Sequence, residues 1–333
     1  MIQTEAESER LRAISIDVDA GKILISRLEG SDQESDISEP VNCAGLGRLR
    51  HFGRATSAGW PANPLPLGPA VASLPRQAES PTVAQVFQNA SCNWRCWYCY
   101  VPFNLLAAHP SRSEWKTPGE LVDLWQSEPN PSLILDLSGG QPDLVPEWVV
   151  WTMKALRERR LERSTYLWSD DNLSTDFLWR FLSDADLELL GTYPSYGRAI
   201  CFKGIDSESF ALNTAANPLL FDRQFDYAHR LIDIGVDVFA YATITNDSQD
   251  ADIQSQVNAF ADRLQGVHEL MPLRTIPLEI EVFGPVEPRI RDEHQRALAK
   301  QQLAIEAWMS MLEERFTSGQ RATPIFEIPV ATA

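Results

Sequence analysis

Short apolar runs alternate with amphipathic stretches from residue 83 onward, and this alternation predicts a strand followed by a helix several times over. Strands are predicted over 83–88, 133–137, 165–168, 198–203, 236–244 and 276–283. Helices are predicted over 117–127, 146–160, 174–182, 221–234 and 250–264, and a long helical region over 292–316 follows the last strand. Thr117-Pro118-Gly119-Glu120 combines a capping hydroxyl, a proline at the first helical position and a glutamate at the third. Val149, Met153 and Leu156 form one apolar face of the next helix, and Arg157 to Arg160 its wet end. Strands separated by helices predict a parallel α/β architecture, either a doubly wound sheet or an open part of a barrel.

The first 80 residues read differently. Apolar runs at 13–16 and 22–26 flank a turn-forming 17–21 and predict a small hairpin. Residues 29–39 are acidic and polar, a solvent loop. Between Cys43 and Pro75 glycines and prolines recur, including Gly59-Trp60-Pro61, and predict an extended arm packed against a domain. The expected organisation is an N-terminal extension over 1–80, a core over 81–285, and a C-terminal helical segment with its tail over 286–333. The full length of 333 residues can bury a large core.

Charge narrows the partners. With 46 acidic and 29 basic residues the formal charge is −17, a field that repels a phosphate backbone and makes nucleic acid a poor partner. The polar start lacks a signal-peptide pattern, and no run of about 20 apolar residues suits a bilayer. Of five cysteines three share one loop, which does not suggest a disulfide scaffold; a reducing, cytoplasmic setting is expected.

That loop, residues 91–100, reads SCNWRCWYCY. Thiolates of Cys92, Cys96 and Cys99 can turn inward on one metal object and select zinc, copper or an iron–sulfur cluster. Structural zinc takes four protein ligands, for which Cys43 or His51 could supply the fourth; three without a near fourth suggest a centre left open. Ser138-Gly139-Gly140-Gln141-Pro142 follows at the end of the second predicted core strand. Together the CxxxCxxC spacing, Tyr98 before its last cysteine and this glycine turn resemble the radical S-adenosylmethionine (radical SAM) enzymes over residues 81–285. The resemblance implies a partial (β/α)6 barrel and a 4Fe-4S cluster held by Cys92, Cys96 and Cys99 as low-pKa thiolates. It further implies S-adenosylmethionine on the fourth iron, reductive cleavage to a 5′-deoxyadenosyl radical, hydrogen abstraction from substrate, and an electron donor such as a flavodoxin or ferredoxin.

The resemblance also implies cofactor contacts at Tyr98, Ser138, Gly139, Gly140 and Gln141, and at Ser169, Asp170 and Asn172. The family usually has Glu where this chain has Gln141, so charge assistance to the cofactor's ammonium is lost. Ser169, Asp170 and Asn172 can equally serve turns or caps. Lys203, in a Phe-Lys-Gly strand end similar to that of glycyl-radical-enzyme activases, can meet cofactor or substrate or form an internal ion pair. Cys201 shares its strand face, as a hydrogen-atom donor or as core. Glu279 and Glu281 share a face of the last predicted strand. Thr243 and Thr245 stand at another strand end, and His109, His229, His268 and His294 show no ligand spacing. The substrate alternatives are a protein, as for activases, and a peptide or natural product; a zinc-stabilised or redox-sensing interaction module is the non-enzyme alternative.

Overall fold

A computed structural model describes residues 1–37, 39–52, 60–75, 83–282 and 284–330. Its strands, in chain order, are β1 (Ile16–Asp17), β2 (Lys22–Ser26), β3 (Gly47–His51), β4 (Val83–Phe87), β5 (Ser113–Lys116), β6 (Ile134–Leu137), β7 (Tyr166–Asp171), β8 (Tyr196–Phe202), β9 (Val238–Ala242) and β10 (Thr275–Pro277). Strands β4, β6, β7, β8, β9 and β10 lie side by side in chain order, each parallel to the next. Helices in the connections return the chain to the start of each next strand, as parallel pairing requires. The fold is mixed α/β, and among the described residues no pairing joins the two edges of the large sheet, β3 and β10.

One face of the sheet is covered by helices. Leu135, Leu137, Leu167, Ile200, Phe202, Val238 and Ala240 pack there against Val149, Met153 and Leu156 of helix Glu147–Glu158 and the apolar sides of Phe221–Asp233 and Ile253–Val267. Helix Pro118–Gln126 begins with the expected box: Glu120 N–H donates to the Thr117 hydroxyl while Thr117 N–H donates to the Glu120 carboxylate. Such a cap contributes about 1 kcal/mol. Trp308 of the C-terminal helix Gln301–Arg315 reaches Phe260 at 6.2 Å between ring centroids.

The other, inner face is covered at the strand N-terminal end by Leu65, Ala70 and Leu74 and by Ile325, which pack on Ala84, Ile134, Tyr166, Trp168, Phe239 and Ile276. Here the extended arm needs correction. It contains β3, antiparallel to β4 within the large sheet, and helix Leu67–Ser73. Trp60 packs as expected, its Nε1 donating to the Pro277 carbonyl at 3.1 Å. Gly59 and Phe283 fall outside the described residues.

The hairpin exists as β1 and β2, extended by β5. Residues 13–15 belong instead to helix Thr4–Ser15, whose buried positions are Thr4, Ser8, Leu11, Arg12 and Ser15. Four of these five are polar, so periodicity in apolar residues could not reveal it. The last core strand stops at Pro277; Glu279 and Glu281 therefore do not share a strand face. Strand β7 runs three residues beyond its predicted end, so Ser169, Asp170 and Asp171 stand in the strand itself.

Candidate metal and cofactor cleft

The cysteine loop leaves β4 and is tied down on every side. Asn89 accepts from Ser91 N–H and Oγ–H through its Oδ1, at 3.1 and 3.0 Å, and donates through Nδ2 to the Gln141 carbonyl at 2.8 Å. Cys92 N–H donates to the Leu106 carbonyl and Cys99 N–H to that of Cys96. The two tryptophans are anchors. Trp94 Nε1 donates to Thr4 Oγ1 at 3.1 Å and Trp97 Nε1 to Asn213 Oδ1 at 2.9 Å, while the Trp97 ring stacks on His294 at 4.6 Å. From the C-terminal segment Arg289 donates to the carbonyls of Cys99 and Val101, at 2.5 and 3.0 Å, with its guanidinium over Phe103. Sequence reasoning missed Arg289, which carries no local motif.

Burial pushes the thiols of Cys92, Cys96 and Cys99 all upward, against the pull of Lys203 and, for Cys92 and Cys99, of Arg95 and Arg289 respectively. The low-pKa thiolates expected from the loop are thus not a property of the protein alone; a coordinated metal deprotonates a thiol outright. The mutual influence of the three thiols places them in one neighbourhood. Yet among the described residues no three Cys, His, Asp or Glu side chains converge closely enough to ligate a single ion. A zinc ion requires sulfurs about 2.3 Å from one point. Of the possible fourth zinc ligands, His51 pairs with Glu39, and the Cys43 thiol is buried beside Glu128, both burial and that carboxylate pushing it up.

The glycine turn meets this loop directly. Gly139 and Gly140 have φ of +90° and +70°, and a Cβ on Gly140 would lie 2.4 Å from the Asn89 carbonyl oxygen and 2.7 Å from that of Ser91. Only glycine lets the two backbones approach so closely. Gln141 N–H donates to the Ser91 carbonyl at 2.7 Å. Its side chain turns into the protein: Oε1 accepts from Asn172 N–H at 3.0 Å and Nε2 donates to Asp171 Oδ1 at 2.7 Å. A glutamate here would set a carboxylate against Asp171, which gives the amide a structural reason. Ser138 Oγ is buried near Asp136 without a partner in hydrogen-bonding geometry.

Strand alternation divides the other candidates. Ser169 faces the helices, its Oγ 2.8 Å from Tyr196 Oη, which accepts from Arg198 Nε at 2.9 Å. Arg198, fully buried, holds Asp143 with two hydrogen bonds at 2.7 and 3.0 Å and has Asp171 at 3.6 Å. Asn172, at the junction, donates from Nδ2 to Asn93 Oδ1 at 3.2 Å and reaches Cys92 Sγ at 3.9 Å.

Asp170 faces the inner side, where Trp168 Nε1 donates to it at 3.1 Å. Burial, reinforced by Asp136, pushes it up to about 7 against Arg50 and Lys203. Cys201 and Lys203 stand on the same side, and Tyr98 Oη lies 2.7 Å from Thr243 Oγ1. Thr245 forms no such contact; its hydroxyl is buried without a partner. Lys203 Nζ sits 5.9 Å from the Tyr98 ring centroid. Burial alone would lower its pKa, but Cys201, Tyr98, Cys96 and Cys99 hold it well above the usual lysine range. Among the described residues Lys203 has no ion pair within 4 Å. Burial raises Cys201 to about 11. Cys96, Tyr98, Cys99, Gly139, Gly140, Asp170, Cys201 and Lys203 are all part-buried and keep some solvent contact, and they outline the candidate cleft. Three histidines have partners elsewhere, His109 with Ser111, His229 with Asp233 and His268 with Leu270 N–H, whereas His294 is buried against Trp97 of the cysteine loop.

No family model matches the sequence, and no curated protein matches it either. Among solved structures the chain is similar to Streptococcus suis SuiB bound to precursor peptide SuiA, at 15% identity and a TM-score of 0.38, over 54% of this chain and 36% of that one. SuiB bound to S-adenosylmethionine gives 16% identity and 0.37 over 52% and 36%, and SuiB alone 16% and 0.36 over 54% and 36%. The matched part thus spans about a third of SuiB. Among the described residues no helix is long and apolar enough to cross a membrane.

Proposed function

We propose that this chain is a radical SAM enzyme in which Cys92, Cys96 and Cys99 hold three irons of a 4Fe-4S cluster. The observation that carries the reading is the meeting of these cysteines with Tyr98, Lys203 and the Gly139-Gly140 turn at the C-terminal ends of parallel strands laid in chain order. The donor set fits such a group: cluster thiolates sit on separate irons and need not converge on one ion. When bound, the cluster supplies the electron that turns S-adenosylmethionine into a hydrogen-abstracting radical source.

The chain's own residues bind, orient and exclude water. Gly139 and Gly140 let the glycine turn close against the cysteine loop, Tyr98 lends an aromatic wall, and Asp170 offers an acceptor to hydroxyls or a cation. Gln141 and Ser169 act from behind, holding Asn172 and the end of β7 in place. Asn172 steadies Cys92. Cys201 keeps its proton at neutral pH and so retains a hydrogen atom to exchange within the cleft. The residues before 81 serve as an extension closing the inner face, and those after 285 as a cap on the cysteine loop. The substrate, a small molecule, a peptide or a protein as for the activases, gives up a hydrogen atom; a flavodoxin or ferredoxin in a reducing compartment provides the electron.

Anaerobic reconstitution followed by electron paramagnetic resonance tests this. The expected result is a reduced 4Fe-4S signal that changes on adding S-adenosylmethionine and is absent when the three cysteines are replaced by alanine. Bound zinc and no iron–sulfur signal would sink the proposal.

A further inference from the structure

The inner face carries charged groups that the protein does not satisfy. On β3, Arg48 and Arg50 pair in register with Val86 and Ala84 of β4, and Asp136 of β6 pairs with Val86 from the other side, so all three side chains share this face. Arg50 finds partners: its Nη1 lies 3.4 Å from Asp136 Oδ2 and its guanidinium 4.8 Å from the Phe52 ring centroid. Arg48 does not. It is 8% exposed, yet among the described residues no carboxylate lies within ion-pair distance of it. Its Nη2 is 3.4 Å from Tyr100 Oη, a long contact, and its Nε is buried with no partner at all. Asp136 Oδ1, fully buried, also lacks one.

The nearest counter-charge, Asp136, acts on Arg48 from beyond ion-pair distance and is already paired with Arg50, and a buried guanidinium with an unpartnered N–H is costly unless a ligand supplies the missing acceptor. Place and chemistry agree. Because β3 runs antiparallel to β4, Arg48 stands nearer than Arg50 to the strand end from which the cysteine loop emerges. Tyr100, against which Arg48 rests, directly follows Cys99 and is itself partly exposed. The chain's −17 charge would repel an anion in general, so local cations are what admit one. A guanidinium fork matches a carboxylate or phosphate better than any other ligand group.

We propose that Arg48, backed by Arg50 and edged by Tyr100, binds an anionic group of the substrate, a carboxylate or a phosphate. Assigning that anion to the substrate rests on the enzyme reading above; the anion site itself does not. The probes are acetate, methylphosphonate and methylammonium, followed by saturation-transfer NMR on the full chain without cluster. Acetate or methylphosphonate should show transfer, the stronger of the two naming the anion, and methylammonium none. In Arg48→Gln the anion signal should fall about tenfold, the worth of a lost charged hydrogen bond. Arg48→Lys, which keeps the charge and guards against misfolding, should retain part of it, and Arg291→Gln at an exposed position should match wild type. Equal anion signals in wild type and both Arg48 variants would overturn the site. On reconstituted protein, Arg48→Gln should keep the paramagnetic response to S-adenosylmethionine; its loss would give the anion to the cofactor and overturn the substrate assignment. A wild-type chain that binds the anion but assembles no cluster would sink the enzyme reading and, with it, the assignment to substrate, while the anion site stands.

Discussion

Asp170 and Asp171 are neighbours in the chain and face opposite chemistry, the first toward the cleft and the second toward the helices. Around Asp171 the polar groups are paired except for Asn172 Oδ1. Gln141 and Leu173 N–H donate to its Oδ1, and Arg198 is shared between it and Asp143. Around Asp170 the set is less complete: Arg48 Nε lacks a partner, and Asp136 Oδ1 and Ser138 Oγ are unpaired in hydrogen-bonding geometry although the two side chains are neighbours. Buried polar networks rigidify when complete and are costly when incomplete. The helix side thus uses polar groups to fix the ends of β6 and β7, and the inner side leaves more of its polar groups unpaired.

The comparison breaks most visibly at Arg198. Arg198→Met would leave Asp143 and Asp171 buried together without a counter-charge, and we expect a loss of about 3–5 kcal/mol in urea unfolding. A loss below about 1 kcal/mol would mean that the network does not hold the fold. Next comes Gly140→Ala, whose Cβ would meet the Asn89 carbonyl in a backbone of positive φ; about 3 kcal/mol is expected, with reduced iron uptake on reconstitution. Gln141→Glu tests the junction between the two sides. Replacing a donor to Asp171 by a carboxylate should cost roughly 1–3 kcal/mol at neutral pH, with a cost that shrinks in acid as the new group takes a proton. Unchanged stability at both pH values would show that the amide is not needed there.

The effect at Asp170, on the other side, is expected to depend on pH. Its folded pKa of about 7 lies above the value of about 3.9 for an unfolded aspartate. The folded state therefore prefers the proton, and the contribution to stability is fully present below the unfolded value and lost as pH rises through about 7. Asp170→Asn should remove that loss, so the variant gains on wild type between pH 4 and 7 in thermal melts. A constant difference across that range would place the titration elsewhere.

Much of this was legible from sequence because the signals are local. The strand and helix alternation follows from side-chain periodicity, the Thr117 cap from one turn of helix, and the cysteine loop and glycine turn from residues a few positions apart. Helices Ser207–Thr214 and Asp184–Thr192, which apolar periodicity alone did not predict, also carry local start signals, Asp206 as an N-cap acceptor and a Ser183–Asp186 capping box. The first of these supplies Asn213 and Thr214 to the cysteine loop. Tertiary structure decided the rest. That Gly47–His51 joins the sheet, that Ser169 faces away from the cleft while Asp170 faces into it, and that Arg289 and Arg48 reach the cysteine loop are all contacts between segments distant in the chain. Periodicity fixes which residues can share a face; only the pairing of strands and the packing of their covers fix which face meets the ligand and which meets the helices.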